Sequence, residues 1–156
     1  MNAKSRRRVL RSQSHTCICV DILVINGTGF TAYATEDHIY AAGERIQFPE
    51  VYYNRGGHYN SADSSFTVPL TGTYLFMVNI MSKWEYYQRS FLVRNSEDVV
   101  FLYGDPSGSM MASNSVLLQC QAGDVLYVRA THDDSFVRVY DKAATTFSGL
   151  LLYVST

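Results

Sequence analysis

The chain has 156 residues, of which 47% are hydrophobic, 17% charged and 13% aromatic, a composition that excludes a disordered or fibrous chain and suits one globular domain. Its formal net charge of −1 hides an asymmetry: Lys4, Arg6, Arg7, Arg8 and Arg11 lie within the first eleven positions without an acid, leaving eight basic residues against 14 acids in the remainder. An acidic body lacks the basic footprint of a nucleic-acid binder, and no apolar run reaches the roughly 18 residues of a membrane-spanning helix.

Residues 1–25 read as a leader, a partial signal or linker segment. Arg6, Arg7 and Arg8 suit a positive n-region, but Val9-Leu10 is cut off by Arg11-Ser12-Gln13. The next apolar stretch, 17–25, is interrupted by Asp21. No segment therefore reads as a full signal peptide. Cys17 and Cys19 are one residue apart, so in an extended strand they point to opposite sides and cannot readily bridge each other. Asn26-Gly27-Thr28 is a glycosylation sequon on Asn26. It opens the globular domain expected over 26–156.

From there the pattern is short strands separated by turn residues. Residues 30–35 alternate weakly. Glu36-Asp37-His38 and Ala41-Ala42-Gly43-Glu44 read as loops. A second run begins at Ile46-Gln47-Phe48 and ends at Asn54-Arg55-Gly56-Gly57. The run 65–70 is short, and Thr71-Gly72 reads as a turn into the longest strand, 73–81. That strand is apolar on both sides, with Tyr74, Phe76, Val78 and Ile80 on one face and Leu75, Met77 and Met81 on the other. It is therefore central, or meets another subunit. Further strands are expected at 87–94, 99–103, 115–120, 125–130 and 145–154, with the polar run 131–142 as a long loop. Cys120 alternates onto the apolar face with Val116 and Leu118, the position of a buried free thiol. The spacing indicates an all-β sandwich or jelly roll, and no Gly-X-Y run or internal repeat accompanies it.

The stretch from Phe48 to Phe76 carries a spaced motif. Phe48 is followed after five residues by Asn54, after four by Tyr59, after six by Phe66 and after five by Gly72, and then Tyr74 and Phe76 alternate. This resembles the signature of the C1q domain family, with Val78 where that family usually has one more aromatic residue. Gly123-Asp124 resembles the family's Gly-Asp turn. The segment 146–151, with Phe147 and Gly149, resembles its closing strand. The likeness runs from about Phe30 to Tyr153. It implies a ten-stranded jelly-roll β-sandwich of the C1q and tumour necrosis factor type, packed as a secreted homotrimer. It also implies that Cys17 or Cys19 forms interchain disulfides, as cysteines do at a similar place in cerebellin-like members, giving higher oligomers; the alternative is that both thiols are idle, in a leader that is removed or never exported. Independently of the family, Phe48, Phe66, Tyr74 and Phe76 can fill one inter-sheet core. Asn54 and Gly57 suit positive φ or side-chain-to-backbone turn bonds.

The chemistry-bearing residues point to binding, not catalysis. No nucleophile elbow, phosphate loop or dinucleotide fingerprint occurs, and the four His residues lack metal-ligand spacing. The expectation is a protein that is not an enzyme and needs no cofactor, with calcium the one ion to consider. Asp133 and Asp134 are the first calcium candidates, because calcium takes clustered carboxylate oxygens. Arg138 and Tyr140 in the last long loop, and Trp84 and Tyr86 beside Lys83, Glu85 and Arg89, are the candidate ligand-binding residues. Arg grips carboxylates, and exposed aromatics stack on sugars or anchor protein contacts. Three functions follow from the resemblance. One is lectin-like pattern recognition of glycans or microbial surfaces in innate immunity. Another is a secreted signalling or synaptic-organiser ligand for a protein receptor. The third is a structural trimerisation head.

Overall fold

The computed structural model describes residues 27–133, 135–138 and 144–155. Twelve strands lie among them: β1 (Gly29–Tyr33), β2 (His38–Tyr40), β3 (Glu50–Arg55), β4 (Tyr59–Asn60), β5 (Ser65–Thr67), β6 (Gly72–Met81), β7 (Gln88–Arg94), β8 (Glu97–Gly104), β9 (Met111–Cys120), β10 (Val125–Ala130), β11 (Ser135–Val137) and β12 (Thr146–Val154). All pairings are antiparallel. Ten strands form two five-stranded sheets, ordered β3-β1-β12-β6-β9 and β4-β5-β10-β7-β8, and β2 with β11 adds a small two-stranded sheet. This is the expected sandwich, with one pair of strands beyond it.

Period-two burial builds the core. Along β6, Tyr74, Phe76, Val78 and Ile80 are fully buried while the residues between them are half exposed. Phe30, Phe48, Phe66 and Phe147 complete an aromatic interior. Phe30 stacks on Tyr59 at 4.6 Å and on Phe66 at 4.8 Å, and meets Phe147 edge-on at 4.8 Å. Such pairs each add about 0.5–1.5 kcal/mol beyond area burial. The spaced motif is thus the core plus its fastenings. Asn54 accepts from the Tyr59 backbone N–H at 3.2 Å and donates Nδ2–H to the Tyr59 carbonyl at 2.9 Å. Tyr59 in turn donates its hydroxyl to the Phe48 carbonyl at 2.9 Å. Gly57 takes the positive φ expected near it, +71°.

Five expectations need correction. Gly72 is not a turn residue: it opens β6, and a Cβ there would sit 2.2 Å from the Tyr153 carbonyl oxygen. Its smallness admits the neighbouring backbone of β12. Ile46 and Phe48 are buried but precede their strand, which starts at Glu50. The loop read at Glu36-Asp37-His38 gives way to β2 at His38, and the polar run 131–142 contains β11. Those two strands pair through Ser135–Tyr40, Phe136–Ile39 and Val137–His38, a three-residue ladder too short to leave a periodic signal. Finally, β9 begins at Met111, four residues before the expected start. Its first half reads as polar because β9 is the edge strand of its sheet and is mostly exposed there.

Cys120 is buried and free. Burial pushes its thiol up to about 11, the behaviour of an inert core thiol. Asn26, Cys17 and Cys19, with the leader 1–25, lie outside the described residues.

Candidate functional site

One end of the sandwich collects the candidate residues. It is built from the β6–β7 connection (82–87), the β8–β9 connection (105–110) and β11 with its flanks. Backbone bonds tie the three together. Ser82 N–H donates to the Met110 carbonyl at 2.8 Å, Glu85 N–H to Pro106 at 2.9 Å, Phe136 N–H to Tyr87 at 3.0 Å and Arg138 N–H to Met81 at 2.8 Å. The Thr145 hydroxyl donates to the Arg138 carbonyl at 2.8 Å and accepts from Met81 N–H at 3.0 Å. The platform is therefore held largely by main-chain bonds, with the Ser82 and Thr145 hydroxyls joining them.

Trp84 is 61% exposed at the tip of the first connection. The next residue, Glu85, has φ +74° without being glycine. Left-handed backbone at an ordinary residue costs on the order of 1 kcal/mol and persists where surroundings enforce it. Here the Glu85–Pro106 and Tyr86–Lys83 backbone bonds do so. Tyr86 is half buried, with its ring 4.8 Å from Phe136. The Lys83 ammonium lies 5.8 Å from the Tyr86 ring and 5.6 Å from the Phe136 ring. Arg138 reaches the same end and donates Nη1–H to the Ser109 hydroxyl at 3.3 Å. Trp84, Tyr86 and Arg138 thus share one surface, with Lys83 as a second cation. Sequence reading missed Phe136 and Ser109; the signal for Phe136 was the apolar pair Phe136-Val137 inside the polar run.

Asp133 is placed differently. Its Oδ1 accepts the Ala42 backbone N–H at 2.8 Å, so it fastens the β2 turn. Asp134 and Tyr140 lie outside the described residues. Among the described residues no group of three His, Cys, Asp or Glu side chains is arranged to hold a metal ion. Asp105 is also structural. It caps Ser107 N–H at 2.8 Å and receives the Tyr103 hydroxyl at 3.3 Å, and the bonds from Ser107 hold its carboxyl below the usual carboxylate range. Asp124 closes the turn that Gly123 (φ +94°) makes, accepting from Gln121 N–H at 2.9 Å and Asn95 Nδ2–H at 3.0 Å.

A second surface is the outward face of the first sheet. Cross-strand partners Leu75 and Leu117, then Met77 and Ser115, and Met81 and Met111, line it on β6 and β9. Leu117 is 60% and Tyr153 66% exposed. A hydroxyl–amide band interrupts the apolar residues: Thr31 with Ser148 at 3.0 Å, and Asn79 donating to Thr146 at 3.1 Å.

A family model described as "C1q domain" matches residues 29–152. A curated relative, complement C1q tumor necrosis factor-related protein 6 of Mus musculus, is 39% identical over 69% of this chain and 42% of its own length. Complement C1q and tumor necrosis factor-related protein 9A of Homo sapiens is 28% identical over 86% of this chain and 41% of its own length. The chain thus spans less than half of these relatives. Among solved structures, the globular domain of zebrafish complement 1qA matches with a TM-score of 0.68 at 18% identity, covering 82% of this chain and 99% of that one. Eiger TNF from S. frugiperda matches with 0.62 at 15%, covering 83% of this chain and 95% of that one.

Proposed function

The chain belongs to the C1q domain family, and from that premise we propose that it is an extracellular, non-enzymatic ligand domain that forms a homotrimer and binds a protein receptor through the loop end bearing Trp84, Tyr86 and Arg138. The observation that carries the reading is the outward face of the first sheet. Leu75, Met77, Leu117 and Tyr153 form an apolar surface on a single chain. Covering it gains about 25 cal/mol per Å2 of apolar area removed from water, and apolar patches of this kind mark association surfaces. Two further copies are the covering this reading assigns. The curated relatives, named as tumor necrosis factor-related proteins, favour a signalling ligand over a purely structural head. The test is capture of a receptor from a cell-surface display library by the purified protein. Capture lost in Trp84→Ala and Arg138→Ala, with assembly unchanged, supports the reading; capture unchanged in both refutes this site.

Pattern recognition of glycans is the second reading. The observation behind it is the exposed Trp84 ring on the end where the Lys83 ammonium lies over the Tyr86 and Phe136 rings, a ring-and-cation pairing that also suits sugars. A glycan array probed with wild type and Trp84→Ala separates it from receptor binding. Calcium at Asp133 and Asp134 belongs with this reading, with Asp133 Oδ2 open to the ion while Oδ1 holds Ala42 N–H. Its sign is a melting temperature that rises with millimolar calcium in wild type and not in Asp133→Asn. Covalent linkage through Cys17 or Cys19 has its own test, an interchain band on non-reducing gels that is lost in the Cys17→Ser and Cys19→Ser variants.

A further inference from the structure

The outward face of the second sheet carries a ladder of rings. Phe91 lies 4.9 Å from Phe101, Phe101 6.2 Å from Tyr103, and Tyr103 6.4 Å from Tyr87. Phe101 is 42% and Tyr103 50% exposed. Register places Phe91 opposite Phe101, and Arg89 opposite Tyr103, across β7 and β8. The Arg89 guanidinium lies 3.7 Å from the Tyr87 ring centroid.

The charge pattern around this ladder is uneven. Arg45 is paired with Asp63, Arg94 with Glu97 and Arg129 with Asp98. Arg89, on the same sheet, has no carboxylate within ion-pair distance among the described residues; its contact is the Tyr87 face. Stacking holds a guanidinium in place through its flat face and leaves the in-plane N–H fork unused, and that fork matches a carboxylate bidentately. The nearest acidic group the ladder touches, Asp105, is occupied on both oxygens by Tyr103 and Ser107. The bond to Tyr103 also fixes the ring beside Arg89.

We propose that Arg89, Tyr87, Tyr103 and Phe101 form a binding site for an acidic saccharide, in which Arg89 receives the carboxylate of a hexuronate and the exposed Tyr103 and Phe101 rings take the C–H faces of the sugar. A flat sheet face with a row of rings presents successive stacking positions, and one unpaired arginine fixes the register of the charged unit. The site adjoins the loop end through Tyr87 but uses neither Trp84 nor Arg138, and it does not depend on the receptor reading.

The test is calorimetric titration of the full chain at 150 mM salt, as an order-of-magnitude physiological condition, with tetragalacturonate and with its fully methyl-esterified form. Wild type binds the acid, and the ester binds at least about tenfold more weakly, a difference of roughly 1.4 kcal/mol. Arg89→Gln loses a similar factor, Arg89→Lys falls between them because it keeps charge without the fork, and Tyr103→Ala weakens both sugars. Near-ultraviolet circular dichroism and elution volume verify that each variant is folded, and Arg89→Lys carries the comparison if Arg89→Gln fails to fold. No binding of the acid by wild type, equal binding of acid and ester, or unchanged binding in the Arg89 variants overturns the proposal and leaves the loop-end reading untouched.

Discussion

Replacing Gly149 by alanine adds one methyl group at the centre of the sandwich. Gly149 sits in β12 opposite Phe30 on one side and Phe76 on the other. The new Cβ would lie 2.6 Å from Phe30 Cε1, 2.7 Å from Phe76 Cε1 and 2.8 Å from Phe76 Cδ1. Neither ring has room to yield, because Phe30 is packed against Tyr59, Phe66 and Phe147, and Phe76 against Tyr74 and Phe66. Glycine to alanine at an unstrained, open position stabilises by about 0.4–1 kcal/mol through the unfolded chain. Overpacking a tight core costs about 1–3 kcal/mol, and three contacts this short put Gly149→Ala near the upper end. At roughly 2–4 °C per kcal/mol for a chain of this length, the melting temperature falls by about 6–12 °C. Gly108→Ala is the control, since nothing lies within 4 Å of its Cβ and its φ is not positive; its melting temperature stays level or rises slightly. Adding Phe30→Leu to Gly149→Ala should recover part of the loss, so the double variant is less destabilised than the two singles summed. Differential scanning calorimetry on wild type, the three single variants and the double variant decides the matter. A Gly149→Ala variant melting at or above wild type refutes the packing argument.

Other consequences follow from the same structure. Phe76→Ala should cost roughly 3–5 kcal/mol, read as a shift in urea midpoint at unchanged slope. Asn54→Ala removes two bonds to the Tyr59 backbone and should cost about 1–3 kcal/mol, mostly from the carbonyl and N–H left without partners. Cys120 titrates near 11 in the folded chain against 9.0 for a free thiol. The folded state therefore holds its proton more tightly, and its stabilising contribution is complete below about pH 9 and is lost as pH rises through 11. Urea midpoints measured from pH 8 to 11 should fall more steeply in wild type than in Cys120→Ala, and parallel curves would contradict the assignment.

The core was legible because burial on one face of a strand leaves a period-two record, and Tyr74, Phe76 and Val78 kept it without interruption. The aromatic spacing from Phe48 to Phe76 was legible too, though its physical content was not. Asn54 fastens Tyr59 across the turn that carries the chain from one sheet to the other, and Gly72 yields to the carbonyl of Tyr153, a residue far along the chain that local sequence cannot announce. The pair β2 and β11 was hidden because three residues make no pattern, and because Phe136 and Val137 sit among charged neighbours. The gathering of Trp84, Tyr86 and Arg138 at one end depends on the backbone bonds Phe136–Tyr87 and Arg138–Met81, which join segments some fifty residues apart in sequence. Asp133 was legible as an exposed loop carboxylate, but its bond to Ala42 is visible only once the turn is in place.

The central claim is that the outward face of the first sheet is covered by two further copies of the chain. Light scattering on the eluting protein at micromolar concentration measures this directly. Trimerisation through this face gives a single species of three times the chain mass of 17.6 kDa, reduced to one chain mass by Leu117→Asp with the folded circular dichroism spectrum retained. A stable wild-type species of 17.6 kDa at that concentration contradicts it.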